Sequence, residues 1–327
     1  MSSFDPSIGS TSDSRRSNSA GQAALHSATP DSPIGALGLQ NEASEFAVQF
    51  WGVRGSVPSP SQATMRYGGN TACVELRVGS KRLIFDAGTG LRVLGDQLLR
   101  QMPVEAHIFF THTHWDRIQG FPFFVPAFVE GNCFHIYGAA SLNNASIKQR
   151  LYDQMLRPNF PVPLQAMRSN LKFHDIAPGS VISLDDVTVE TILLNHHSRA
   201  LGYRVTWNNC SVVYATDANL ADPHDPTLLH FAHQADLLIF DTAYANRAYF
   251  DLQAAAATRS PDTWRACVDL ALEAQVKCMV MSHHDPTHED DFLDQVEAEV
   301  QAVYAHVHFA REGMVLNLPC TGDRLAD

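Results

Sequence analysis

THTHWDRIQG, residues 111–120, follows directly on the apolar run Ile108-Phe109-Phe110 and carries His112, His114 and Asp116 at alternating positions. In an extended segment alternate side chains share a face, so these three are expected to converge at a strand end. Zinc binds imidazole nitrogen and carboxylate oxygen at about 2.0–2.2 Å and ordinarily takes four ligands. Two histidines supply half of that set. Arg117 comes next, and a guanidinium has only donors and keeps its proton. The stretch reads as a metal cradle with a fixed cation set against it.

Four further apolar runs end the same way: TILLNHH (191–197), VVYATD (212–217), LLIFD (237–241) and CMVMSHHD (278–285). Ends of strands and the loops after them are where α/β folds place ligands and catalytic groups. One such ending is accounted for by a capping aspartate or a satisfied core histidine. Five, supplying His and Asp almost exclusively, describe one site assembled from distant parts of the chain. His196 is the leading third ligand beside His112 and His114. Asp116 and Asp217 suit a second metal or the orientation of a metal-bound water.

The surrounding chain has a globular composition, 45% hydrophobic and 18% charged over 327 residues, enough for a sizeable core. A net charge of −12 weighs against a nucleic-acid partner, and without a long apolar run no membrane partner is expected. Cys73, Cys133, Cys210, Cys267, Cys278 and Cys320 form no Cys-x-x-Cys pair. That argues against a thiolate zinc site or a disulfide framework and favours buried thiols in a reducing, cytoplasmic location.

Residues 1–45, rich in Ser, Gly, Ala and Pro, read as a disordered tail, 46–320 as one domain and 321–327 as a short second tail. Strands are expected at 46–51, 72–78, 82–86, 105–110, 187–194, 202–207, 211–216, 236–241, 277–282 and 314–318. Helices are expected at 91–101, 145–156, 224–234, 262–274 and 289–303. The order describes two mixed sheets with helices outside. FPFFVPAF (121–128) reads as a mostly buried wall, and Trp115 as a packing residue.

Taken in order, WGVRGSVPSP (51–60), RYGGNTACVEL (66–76), IFDAGTG (84–90), THTHWDRIQGFPFF (111–124), NHHSRALGYR (195–204), YATD (214–217), IFDTAY (239–244) and SHHDPTHEDD (282–291) carry a resemblance. The chain resembles the metallo-β-lactamase fold superfamily, most closely its phosphodiesterase-like branch, which includes ribonuclease Z and cyclic-phosphate phosphodiesterases. The resemblance runs from Phe46 to the last strand and implies an α/β, four-layer αββα fold. It implies a first metal site at His112, His114 and His196. A second would use Asp116, the histidine that normally follows it, a bridging Asp217 and His283. Asp86 would organise the loops, and Asp241 would hold a ligand histidine in its tautomer, with His284 nearby. The implied chemistry is hydrolysis of a small phosphodiester, such as a cyclic nucleotide, by zinc-bound hydroxide.

Two departures bear on that chemistry. Where the family has a histidine after Asp116, this chain has Arg117. Either one zinc ion remains, with Asp116 and Arg117 as catalytic groups and the arginine clamping a phosphate oxygen; or His197 or His284 restores a second zinc ion; or the pocket binds a nucleotide or partner protein without hydrolysis. The family's late Gly-His-Ser/Thr element is matched by TRSPDTW (258–264), which has no histidine. No long arm of the kind ribonuclease Z uses for transfer RNA is evident, which also weighs against a tRNA substrate. An ester, lactone or thioester hydrolase and a homo-oligomer stay open.

Overall fold

Strands covered on both faces must be apolar on both, and Val212, Val213, Tyr214 and Ala215 are all buried. The computed structural model describes residues 46–140, 144–195, 199–218, 225–241 and 261–320. The expected tails, together with His196, His197, Arg259 and Ser260, lie outside the described residues.

The first sheet runs β14 (Val315–Leu318), β1 (Phe46–Gly52), β2 (Cys73–Val78), β3 (Lys81–Phe85), β4 (Glu105–Phe109), β5 (Cys133–Ala139), β6 (Asn170–Ile176). Its pairings are antiparallel as far as β3 and parallel from β3 to β6. The second runs β13 (Val307–Phe309), β12 (Met279–Ser282), β11 (Leu237–Asp241), β10 (Cys210–Ala215), β9 (Ala200–Trp207), β8 (Val187–Asn195), β7 (Val181–Leu184). There the pairings are parallel from β13 to β10 and antiparallel beyond.

Three apolar cores define four layers. Leu91, Leu94 and Leu98 of α1 (Gly90–Leu98) and Ile147 and Leu151 of α3 (Ile147–Gln154) cover Ile84, Ile108 and Ile136 of the first sheet. Leu228 of α4 (Pro226–Ala232), Trp264 of α5 (Pro261–Glu273) and Leu293 of α6 (Asp290–Gln301) cover Val213, Phe240 and Met281 of the second. Between the sheets Phe85 packs against Phe109, Tyr203 and Tyr214 at centroid distances of 5.3–5.4 Å. Burying one such ring contributes about 2–3 kcal/mol. Two of them are also tied to the loops above: Tyr203 donates to the Phe110 carbonyl at 2.6 Å and Tyr214 to Asp86 Oδ2 at 3.0 Å.

Differences from the expected elements follow from polarity and length. β5 and β6 carry His135, Tyr137, Lys172 and His174 among their apolar residues, and β7 and β13 span only 4 and 3 residues. The extended reading of 111–116 fails after His114, because α2 (Trp115–Ile118) begins there. Cys210 and Cys320 are joined by a disulfide, against the expectation of thiols only; Cys73, Cys133, Cys267 and Cys278 remain thiols. The partners are 110 residues apart in sequence, so spacing could not reveal them. No described helix is long and apolar enough to cross a membrane.

Candidate metal centre

Parallel strands of both sheets end at one edge, and the residues just beyond β3, β4, β10 and β12, with Asp241 closing β11, meet there. Asp86, Asp217 and His283 each adopt a left-handed backbone, with φ of 61°, 62° and 61°. Such conformations cost non-glycine residues about 1–3 kcal/mol and persist where surrounding structure enforces them. Their sharing one cluster marks the site independently of any motif.

The His112 ring is oriented from behind. Thr111 donates its hydroxyl proton to Asp86, at 2.9 and 3.0 Å from the two carboxylate oxygens, and its backbone N–H bonds Asp86 Oδ1 at 2.8 Å. That hydroxyl oxygen lies 3.0 Å from His112 Nδ1. With its one proton committed to Asp86, the hydroxyl accepts from Nδ1–H, which leaves the lone pair on Nε2. Nε2 is buried without a hydrogen-bond partner among the described residues, and Asp217 Oδ2 lies 3.6 Å away. Burial, against the pull of Asp217, takes the His112 pKa down to about 3. A neutral, oriented, unpartnered imidazole nitrogen beside a carboxylate fits a divalent metal ligand.

Arg117 lies fully buried beneath this point. One terminal nitrogen donates to Asp86 Oδ2 at 2.8 Å, Thr216 Oγ1 at 3.0 Å and the Tyr214 hydroxyl at 3.1 Å; the other meets Asp217 Oδ2 at 2.6 Å. Its Nε is 3.6 Å from Asp116 Oδ2. Burial opposes ionisation of Asp217, but the guanidinium outweighs it and holds that carboxyl down at about 2. With no exposed face and both terminal nitrogens engaged, Arg117 cannot clamp a substrate oxygen directly. It can act as a fixed cation under the cluster.

His283 Nε2 is 2.9 Å from Asp116 Oδ2 and its Nδ1 is 3.2 Å from Asp241 Oδ1. Burial and Arg117 push its pKa down, yet Asp241, Asp217 and Asp116 together lift it to about 10, so the ring is an imidazolium at neutral pH. Asp241 also accepts from the Asp217 backbone N–H, and one ligand atom each from Asp217, Asp241 and His283 falls within 4.8 Å of the others. Among the described residues, Asp116 makes its contacts to His283, Arg117 and the Ser56 N–H through Oδ2. A Cβ on Gly55 would come within 2.8 Å of His283 Nε2, so that position admits only glycine beside the ring.

The family model for the beta-lactamase superfamily domain matches residues 81–284, the span that holds this cluster from Asp86 to His283. The chain belongs to the beta-lactamase superfamily. Like that superfamily's metallo-hydrolases it is built to hold divalent metal, and it is a metallo-hydrolase. Ribonuclease Z of Rippkaea orientalis is 24% identical over 83% of this chain and 97% of its own length. That of Myxococcus xanthus is 23% identical over 76% and 92%. Among solved structures, the short form of human tRNase Z superposes with a TM-score of 0.56 at 18% identity, covering 84% of this chain and 99% of its own. A diphosphatase from the PhnP family gives 0.58 at 16%, covering 83% and 96%. These structures share the fold. Relatives named ribonuclease Z do not support the expectation that net charge keeps this chain off nucleic acid.

Of the residues the sequence singles out, Asp86, His112, Asp116, Arg117, Asp217, Asp241 and His283 are gathered in the cluster. His114 is exposed, with its ring centroid 4.2 Å from that of His112. His284 is turned elsewhere: its Nε2 lies 2.8 Å from the Ala310 carbonyl oxygen and its ring packs on Tyr67 and Phe309. It therefore does not stand in for the histidine that Arg117 replaces.

Sequence reasoning passed over Thr111, Tyr214 and Thr216, which hold Asp86 and Arg117, although polar side chains within VVYATD were a usable signal. It also passed over Arg150 of α3, which donates to Thr113 Oγ1 at 2.9 Å between the two histidines. Buried Arg54 ties the loop after β1 to the one after His283, through the carbonyls of Gly68, Asp285 and His288. Trp115 is 61% and Phe123 55% exposed, against the packing expected of them, while Phe121 and Phe124 are buried. The two exposed rings line a cleft of about 610 Å³ with Met65, Asn70, Arg92 and Glu312.

Proposed function

We propose that this chain is a phosphodiesterase that works with one divalent ion, zinc by its donor set, held by His112, His114 and His196. The observation that carries the reading is His112 Nε2, buried, bearing its lone pair and without a hydrogen-bond partner among the described residues. Arg117 supports a single ion: it stands where the superfamily has a second-site histidine, cannot ligate metal, and sets its fixed charge against Asp217 and Asp116. When bound, zinc lowers the pKa of water and polarises the phosphoryl oxygen.

The rest falls to the chain. Asp116, pinned through Oδ2, keeps Oδ1 to orient the attacking water and take its proton. Asp217 and His283 fix the position of Asp116 and the local field, and Arg117 lowers the energy of charge gathering on the phosphate from beneath, without touching it. The cleft beside α2 takes the rest of the substrate, with Trp115 and Phe123 offering ring faces to a base and Arg92 a cation.

A cyclic nucleotide is the substrate class proposed. A single-stranded RNA phosphodiester is the second reading, favoured by the relatives named ribonuclease Z. The test is purified protein with metal content measured, assayed on a generic phosphodiester, cyclic nucleotides, an RNA oligomer and a lactone. One equivalent of zinc lost on His112→Ala, with phosphodiester turnover lost alongside it, supports the proposal, and preference between the nucleotide and the RNA separates its two forms. Metal-free protein that hydrolyses none of them, or turnover of the lactone alone, overturns it.

A further inference from the structure

The amino ends of β4, β5 and β6, opposite the strand ends that carry the cluster above, hold a second group of ligand-type side chains. Glu105 and His107 on β4 stand in register with Cys133 and His135 on β5, and His135 in turn with Lys172 on β6. Side chains two apart on a strand share a face, so Glu105, His107, Cys133, His135, Tyr137, Lys172 and His174 all stand on the face that carries Phe109 and Tyr137 into the core between the sheets. A face continuous with an apolar core gains nothing from three histidines, a thiol and a carboxylate. Their arrangement calls for another reason.

The rings are tightly ordered. His107 stacks on His135 at 4.8 Å, and His174 on Tyr137 at 4.5 Å. His135 Nδ1 and His174 Nε2 are 3.2 Å apart, and the Lys172 ammonium is 3.4 Å from His135 Nε2. An ammonium has only protons to offer. His135 Nε2 accepts from that ammonium in the tautomer whose Nδ1–H donates to His174, and donates to Glu105 Oε1, also 3.4 Å away, in the other. A bound metal ion selects the first. This is how ligand histidines are usually held, with the far nitrogen bonded to a partner. Around Nε2 stand Glu105 and the free thiol of Cys133. One ligand atom each from Glu105, Cys133 and His135 lies within 4.8 Å of the others.

We infer that Glu105, Cys133 and His135 form a second metal site, for a thiophilic divalent ion of the zinc class, set on the rigid first sheet and separate from the hydrolytic centre. Ligands around a tetrahedral zinc lie about 3.5 Å apart. The contraction needed is about 1 Å, and exposed Glu105 can supply it by rotating. The ion displaces the Lys172 ammonium from Nε2, and exposed Lys172 can swing out. Solvent fills the fourth position. A clip across β4 and β5 stabilises the half of the sheet that carries the His112 loop, and it requires nothing of the hydrolytic reaction.

The thiol gives the site its own signature, because no residue assigned to the hydrolytic centre is a cysteine. Full-length protein, reduced and stripped of metal, is titrated with Co²⁺ to saturation while the near-ultraviolet thiolate-to-cobalt charge-transfer band is followed. The band should grow in with one ion per chain, vanish in Cys133→Ala and in His135→Gln, and persist in Cys278→Ala. Circular dichroism of the metal-free variants confirms that loss of the band is not loss of fold. Absence of the band from the natural protein, or its survival in Cys133→Ala, overturns the assignment. Hydrolysis in Cys133→Ala is expected to continue, so failure of this site and failure of the proposed function are read separately.

Discussion

Replacing Arg117 by methionine keeps much of the side chain's volume and removes its charge. Asp86 and Asp217 then lose a guanidinium at 2.8 and 2.6 Å, in a place where Asp86 has no access to water and Asp217 very little. Removing one partner of a buried ion pair costs about 3–5 kcal/mol, chiefly because the other charge is left uncompensated. Asp217 supplies part of that cost. It is held at about 2 against an ordinary 3.8, and a tenfold change in acidity corresponds to about 1.4 kcal/mol. Asp217's share is then about 2–3 kcal/mol, and with Asp86 also uncompensated the loss is about 3–5 kcal/mol, out of about 5–15 kcal/mol for a typical domain. At about 2–4 °C per kcal/mol the melting temperature should fall by about 6–20 °C.

The assay is urea unfolding of metal-free natural protein and Arg117→Met across pH. A carboxyl whose folded pKa is depressed contributes stability above its unfolded value and loses it as pH falls through the folded one. The unfolded chains titrate alike, so the difference between the two proteins should shrink as pH falls from the Asp217 pKa of Arg117→Met, which burial holds above the ordinary value, toward about 2 in the natural protein. A loss below about 1 kcal/mol at pH 7, the level of an exposed pair, would refute the view that Arg117 carries these carboxylates. So would a difference that does not change with pH.

Four other outcomes are expected. With the Glu105–Cys133–His135 site removed by Cys133→Ala, Arg117→His should raise bound zinc from about one to about two per chain, measured by elemental analysis; an unchanged ratio means that Arg117 is not what excludes a second ion. Gly55→Ala should push the His283 ring off Asp116 and lower kcat on the best phosphodiester by about tenfold or more, some 1.4 kcal/mol of barrier, while unchanged kcat removes His283 from the working geometry. In metal-free protein the His283 pKa is raised from 6.5 to about 10. Its stabilisation is thus complete below pH 6.5 and lost as pH rises toward 10, and urea midpoints that stay level over that window contradict the imidazolium. The Cys210–Cys320 disulfide closes a loop of about 100 residues, for which chain entropy gives an upper value of about 4–5 kcal/mol. Cys210→Ser should melt lower than the oxidised protein and match the reduced one, and peptide mapping without reductant should recover the linked pair.

The sequence by itself determined the elements whose apolar patterning is unbroken, and it determined which strand ends carry chemistry. IFFTHTHWD, VVYATD, LLIFD and CMVMSHHD each join an apolar run to a His or Asp, and a run buried on both faces has only its end free for polar work. β5 and β6 escaped because histidine, tyrosine and lysine interrupt their alternation, and the Cys210–Cys320 pair escaped because 110 residues separate its members. Tertiary structure alone decided what Arg117 does. Charge and donor geometry identify it as a cation that cannot ligate metal, and they allow equally an arginine reaching for a phosphate and one sealed beneath the floor. Only packing of β3 beside β4, and of both against β10, sets Asp86, Tyr214, Thr216 and Asp217 around it. A buried guanidinium must have its charge matched and its protons accepted, and those four side chains come together only in the folded chain.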